Sequence, residues 1–477
     1  MHPYSFLPAH SARPFPSAFR IVVIAMVWSL GGCAFTPEGA DKERARLDAA
    51  GESYHVKFAE RSLPEFPESP KWRDVLQRAF LTNGDLEATY FAWRAAYERI
   101  DVAAAYPNSD VSLGYSYMFS SERMKTFDRM TFGAGFDGSE NLAFPSKAKQ
   151  AGRVALDEAR AAGERFQARK FDLQKKVLFA WADYVQRGVA IRAMSRDLEL
   201  LRVATTAAAI AQSSGGAAER ALSAQIQAER LVGTLADMRA EQEAMKAEIN
   251  GLIARDPKAP LNPPEIPDTP RKVPVEDDEL IRISADMFPE VAALAHELQG
   301  RKDALELARL RWIPDINPNF SVTGTISRAI GAAITLPTSI AEIRGNIRAA
   351  EVDMQSAEAT LRQRKAERVS EYIGLIVALR RAEARTAWLE STLRPATARL
   401  AALREQGYET GAGSLVDVIE ARRVLIEIDI AVAQSRAQVE KSIVDIECCL
   451  GLDIETLKPT VQGPAPAGTA QEGHAHG

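Results

Sequence analysis

Two periodicities alternate along this chain and divide it into short strands and very long helices. Val111, Leu113, Tyr115, Tyr117 and Phe119 interleave with Ser112, Gly114, Ser116, Met118 and Ser120. A period of two places the first set on one face of a strand and the second, mostly small, on the other. Phe132, Ala134 and Phe136 against Thr131, Gly133 and Gly135 repeat the pattern, as do Phe320, Val322 and Ile326 against Ser321, Thr323 and Thr325. Ile330, Ala332, Ile334 and Leu336 complete it. The expectation is four strands in two hairpins, the second closed by a tight turn at Ser327, Arg328 and Ala329.

Elsewhere the apolar residues step by three and four. Val177, Trp181, Tyr184 and Ile191 do so in one stretch, and Leu425, Ile428, Val432, Val439, Ile443, Ile446 and Leu450 in another. These are helix seams of the coiled-coil type. No proline occurs between Pro145 and Pro257. A helix from Ser146 to about Gln212 is predicted, on the order of 100 Å long at 1.5 Å per residue. Gly215-Gly216 and the stretch Gly411 to Gly413 interrupt the two long helical hairpins at corresponding points, where glycine admits the left-handed geometry of a chain reversal.

That correspondence extends along the chain. Ala105-Tyr106-Pro107 finds its counterpart in Arg311-Trp312-Ile313-Pro314, Gly152 in Gly345, Leu222 in Leu415 and Ala228 in Ala421. A duplicated unit of helix, strand hairpin and long helical hairpin is therefore expected, with residues 71–262 as the first copy and 263–456 as the second. The fold class is mainly α with a small β part.

Composition sharpens this picture at the ends. The 477 residues are 46% apolar and 7% aromatic, and the net charge of -5 leaves no basic footprint for nucleic acid. Arg13 and Arg20 precede an apolar run, Ile21 to Leu30, that is too short to span a bilayer. The run closes on Leu30-Gly31-Gly32-Cys33, which resembles the lipobox of bacterial lipoproteins. Residues 1–32 are read as a signal peptide, Cys33 as the lipidation site, and residues 33–70 as an extended, Pro- and charge-rich arm. Ala34 beside the cysteine fits sorting to an outer membrane. Only Cys448 and Cys449 remain, neighbours on a helix that diverge rather than bridge. Residues 457–477 form a Pro/Ala/Gly tail, expected to be disordered.

An apolar face alternating with a small one over about ten residues is what a transmembrane β-strand needs, with lipid outside and water inside. Four strands do not close a barrel, and an open edge in hydrocarbon leaves unpaired backbone groups. Several chains must then pool their strands.

The turn of the second hairpin reads Gly407-Tyr408-Glu409-Thr410-Gly411-Ala412-Gly413-Ser414-Leu415-Val416-Asp417-Val418-Ile419-Glu420-Ala421. It resembles the signature of the TolC family of outer-membrane efflux proteins, as do the upstream Leu393-Arg394-Pro395 and the terminal Cys449-Leu450-Gly451. The resemblance implies a homotrimer whose twelve-stranded β-barrel continues as a twelve-helix α-barrel tunnel into the periplasm. It also implies a passive duct for efflux or type I secretion, served by a periplasmic membrane-fusion adaptor and an inner-membrane pump. Cys33 places the chain in the lipoprotein branch, anchored to outer-membrane lipid.

Asp417 and Glu420 stand at i, i+3, on one face of a helix just past the turn. By the resemblance they point into a periplasmic gate, with Tyr408 among the bonds that hold it shut. Gly413 stands where the best-known gate has a basic residue, so a Tyr–Arg latch is not expected. The other copy has Ala224 and Gln227 at the aligned places, so an acidic ring would draw on one repeat only. A local role for Asp417, capping or pairing, is the plainer alternative. The alternative for the whole chain is a lipid-anchored periplasmic coiled-coil scaffold without a pore. No phosphate-binding glycine loop, HExxH, nucleophile elbow or clustered His/Cys/Asp set occurs, so neither an enzyme nor a cofactor is expected.

Overall fold

A computed structural model describes residues 35–105, 111–119, 122–136, 145–213, 218–284, 287–325 and 327–456. The signal peptide, Cys33, Gly215-Gly216 and the tail lie outside them. The helices are α1 (Ala40–Gly51), α2 (Trp72–Thr82), α3 (Gly84–Ala104), α4 (Pro145–Ser213), α5 (Ala218–Leu252), α6 (Asp277–Ser284), α7 (Pro289–Arg309), α8 (Ile340–Trp388), α9 (Arg394–Glu409) and α10 (Leu415–Leu450). The strands are β1 (Val111–Tyr117), β2 (Met130–Phe136), β3 (Asp315–Thr323) and β4 (Ser327–Thr335). The helix–strand–helix order occurs twice, as the repeat requires. The chain falls into two units, one of the residues up to Lys42 with Ala96–Glu158 and Gln299–Gln355, the other of Glu43–Ala95, Ala159–Leu298 and the residues from Ser356 onward.

The first unit holds the sheet. Its order is β1-β2-β3-β4 and every pairing is antiparallel, so the two hairpins join into one meander through β2 and β3. The register Tyr115↔Phe132↔Val322↔Arg328 puts these four on one face, and Ser116↔Thr131↔Thr323↔Ser327 on the other. Thr131 and Thr323 share a hydroxyl hydrogen bond of 3.2 Å across the β2–β3 seam. Lys147 at the start of α4 ties to β3, its Nζ 2.8 Å from Asp315 Oδ1 and 2.8 Å from the Ile313 carbonyl.

The expected turn at Ser327–Ala329 is corrected, because those residues open β4 and the reversal falls at Gly324 and Thr325. Gly324 takes φ +44°, and a Cβ there would lie 2.6 Å from the Phe127 carbonyl oxygen and the Asp128 Cα. Asp128 Oδ1 accepts the Thr325 N–H at 3.0 Å and also the Thr325 hydroxyl. A glycine able to enter that conformation and an acceptor waiting for the next residue decide the position of the turn. β1 likewise ends at Tyr117, short of the predicted Ser120, and Phe119 is 92% exposed.

The second unit is built on helix packing. Tyr372, Ile376 and Leu379 of α8 meet Val439, Ile443, Ile446 and Leu450 of α10, with Leu280 and Phe288 closing the cluster. Of the predicted α10 seam, Val432, Val439, Ile443, Ile446 and Leu450 are buried and Leu425 and Ile428 half-buried; in α4, Val177, Trp181 and Tyr184 are buried and Ile191 half-buried. A π-helical turn, Leu389–Leu393, precedes Pro395 in the first turn of α9. Proline has no N–H to give and crowds the carbonyl four residues back, and a wider turn relieves both.

The arm is not extended throughout. Residues 40–51, ADKERARLDAAG, are strong helix formers and make α1. Past it Arg61 pins the arm, hydrogen-bonding Glu87 at 3.0 and 2.5 Å and the Leu81 carbonyl at 3.3 Å.

Candidate functional site

The turn between α9 and α10 closes on itself. The Gly407 carbonyl accepts N–H groups from Ala412 at 2.8 Å and Gly413 at 2.9 Å, while Gly411 takes φ +76°. A Cβ at Gly413 would lie 3.3 Å from the Gly407 carbonyl carbon, so glycine lets the two limbs approach.

Ser414 then caps α10. Its hydroxyl accepts the Asp417 N–H at 3.2 Å, and Asp417 Oδ2 accepts the Ser414 N–H at 3.4 Å, a reciprocal box that satisfies two of the helix's free donors. Asp417 Oδ2 also lies 4.0 Å from Arg404 Nη1. Asp417 thus caps α10 within this chain. Glu420 is exposed, and the Tyr408 ring is 47% exposed. No hydrogen bond or ion pair among the described residues of this single chain joins Tyr408, Asp417 and Glu420.

One turn further along α10, Arg423 does what none of the predicted residues does. Its Nε lies 3.1 Å from Oδ1 of Asp197 on α4, and its Nη1 donates to Oε1 of Gln227 on α5 at 3.0 Å. Asp197 is 5% exposed, so this ion pair is shielded far better than a surface one. Gln227 is the residue aligned with Glu420. The first hairpin supplies a neutral acceptor there, and an arginine of the second hairpin uses it. Nothing in the local pattern marks Arg423 among the many arginines of these faces.

The most deeply buried charge among the described residues of this unit is Glu447 of α10, with no exposed surface. Arg271 donates to it twice, at 2.6 and 3.1 Å, Gln174 at 3.1 Å, and the Ile454 N–H at 3.1 Å. Arg271 also holds Glu440 at 2.6 Å and lies over the Trp72 ring. Burial pushes the Glu447 carboxyl up, to about 7, against the pull of Arg271. Cys448 and Cys449 are free, with burial raising their thiols to about 12 and about 11. No cluster of three metal-ligating side chains occurs among the described residues, and no described helix is long and apolar enough to cross a membrane.

The fold defined by this sheet and these hairpins is that of solved outer-membrane channels. OprN matches with a TM-score of 0.65 at 17% identity, covering 85% of this chain and 96% of that one. VceC from Vibrio cholerae matches with 0.63 at 16%, covering 80% and 96%. The open state of the Neisseria gonorrhoeae channel MtrE matches with 0.63 at 18%, covering 82% and 94%. Residues 281–452 match the model of the outer membrane efflux protein family. A comparison with curated proteins gives no match.

Proposed function

We propose that this protein is the outer-membrane channel of a tripartite efflux or secretion system, a passive duct from periplasm to exterior. Three copies pool their strands into a twelve-stranded barrel, and their helical hairpins continue it as a twelve-helix tunnel. The observation that carries this reading is the sheet. It has four strands, two open edges and an apolar face, and Tyr115, Phe132 and Ile334 on that face are 59%, 46% and 61% exposed. None of the strand residues whose burial is described is buried. In hydrocarbon each unpaired edge group would cost several kcal/mol, a cost that closure by further copies removes. A pore-free scaffold would instead need a helix lying over the sheet.

A lipid on Cys33 anchors the assembly to the outer membrane. A periplasmic adaptor and an inner-membrane pump are its partners. The periplasmic end is gated by Asp417, Glu420 and Tyr408, with Arg423 coupling the two hairpins of each chain behind them. Reconstitution into planar bilayers tests the reading. Stepwise conductance from a cross-linkable trimer is expected, and a stable trimer that conducts nothing would overturn the duct in favour of the scaffold.

A further inference from the structure

In the second unit a cleft of about 470 Å³ runs between α4 and α10, within the range of built binding sites. Leu178, Trp181 and Val432 form its buried floor. Pro264, Pro267 and Pro270, from the segment that opens the second repeat, form a wall. Trp72 and Arg271 stand at one end. Its arginines are already paired: Arg394 with Asp429 at 2.8 Å, Arg436 with Glu390 at 2.5 Å, and Arg271 with Glu440 at 2.6 Å. What remains for an occupant is an aromatic and proline surface, together with Asp268, which the described residues leave without a partner. Such a surface suits an extended proline-rich segment, whose polyproline conformation is preformed and costs little entropy to bind.

The chain itself delivers such a segment to the Trp72 end. Ile454 is buried and bonded to Glu447, Asp453 lies 3.8 Å from Arg271, and Glu455 pairs with Arg73 at 2.7 Å. The guanidinium groups of Arg73 and Arg271 lie over the Trp72 ring, 4.9 and 5.1 Å from its centroid. The described residues end at Thr456, beside the cleft's own residues. Lys458 and Pro459 follow, then Pro464-Ala465-Pro466-Ala467. From Glu440 to Asp429 the cleft follows roughly 16 Å of α10 at about 1.5 Å per residue. A polyproline strand of about 3.1 Å per residue spans that with about five residues, so the stretch from Pro459 to Pro466 suffices.

We propose that the cleft is the seat of this chain's own segment 458–467, which lies between a helix of the first repeat and a helix of the second and clamps them together.

Two measurements test it. In purified full-length protein with Cys448→Ser and Cys449→Ser, Ala433→Cys is paired either with Ala465→Cys or with Ala475→Cys and oxidised mildly. The Ala465→Cys pair is expected to close roughly tenfold faster, within one chain. Equal rates, or a disulfide between copies, would overturn the proposal. Should the cysteine variants not fold, a chain ending at Thr456 with its natural cysteines is titrated with the synthetic peptide 457–467. Saturable change in tryptophan fluorescence, lost with Trp72→Phe and lost when the peptide's prolines are replaced by serine, is expected. An unchanged signal with the natural peptide overturns it.

Discussion

Removing Arg271 strands the carboxylate of Glu447, which has no exposed surface. In the wild type Glu447 receives four hydrogen bonds, two of them from Arg271. Arg271→Ala deletes both and the only counter-charge, and breaking a buried pair in this way costs about 3–5 kcal/mol. Glu447→Gln keeps an acceptor for Gln174 or Ile454 and leaves Arg271 paired with Glu440, so a loss of only about 1–2 kcal/mol is expected. The pH dependence separates charge from packing. Burial already raises Glu447 from its ordinary 4.5 to about 7. A carboxyl raised on folding contributes stability at low pH that is lost as pH climbs from its unfolded to its folded value, after which the curve flattens. Without Arg271 the folded value rises further. The wild type is then flat above pH 7, whereas the variant keeps losing about 1.4 kcal/mol per pH unit. Denaturant midpoints of the purified protein between pH 5 and 9 measure this. An Arg271→Ala deficit below about 1 kcal/mol, or one independent of pH, would refute the reasoning.

The sheet register refines where a charge is tolerated. If the sheet crosses the membrane as proposed, the row of Phe132, Val322 and Arg328, next to the turn, lies near its surface, and the row of Phe320 and Ile330 lies deeper. Ile330→Arg should cost about 2–4 kcal/mol and Phe132→Arg about 0–1, read as trimer yield in membranes; equal yields would show the facing or the depth to be misassigned. Arg423→Ala, which releases Asp197 and Gln227, should raise single-channel conductance, as should Asp417→Ala combined with Glu420→Ala, whereas Glu409→Ala should not; unchanged currents in both would move the gate elsewhere. Metabolic labelling with palmitate should mark the wild type and not Cys33→Ala, and equal label in both would remove the anchor.

Local periodicity carried the helices and both faces of the sheet, because each is decided within a few residues. α4 runs from Pro145 to Ser213, one residue beyond its predicted limits at each end. What periodicity does not carry is pairing at long range. The turn at Gly324 is chosen with Asp128, which binds Thr325 from 197 residues away. Arg423 is one of many arginines on solvated faces until Asp197, 226 residues distant, identifies it. Arg271 reads as part of a proline-rich connection until Glu440 and Glu447 close around it. In the arm, the prolines from Pro64 onward masked a helix that the Ala, Glu and Arg of residues 40–51 dictate.

The seam between β2 and β3 also orders events in time. Thr131 and Thr323 are 192 residues apart, whereas each hairpin on either side of the seam closes locally. Closing so long a loop costs entropy before the seam's hydrogen bonds repay it, and distant pairings form late for that reason. Helical hairpins rich in local contacts form first, and the sheet is completed only after the second repeat has emerged. Until then β2 has one bare edge and an apolar face. A chain that stalls between its repeats is therefore the species most prone to aggregate.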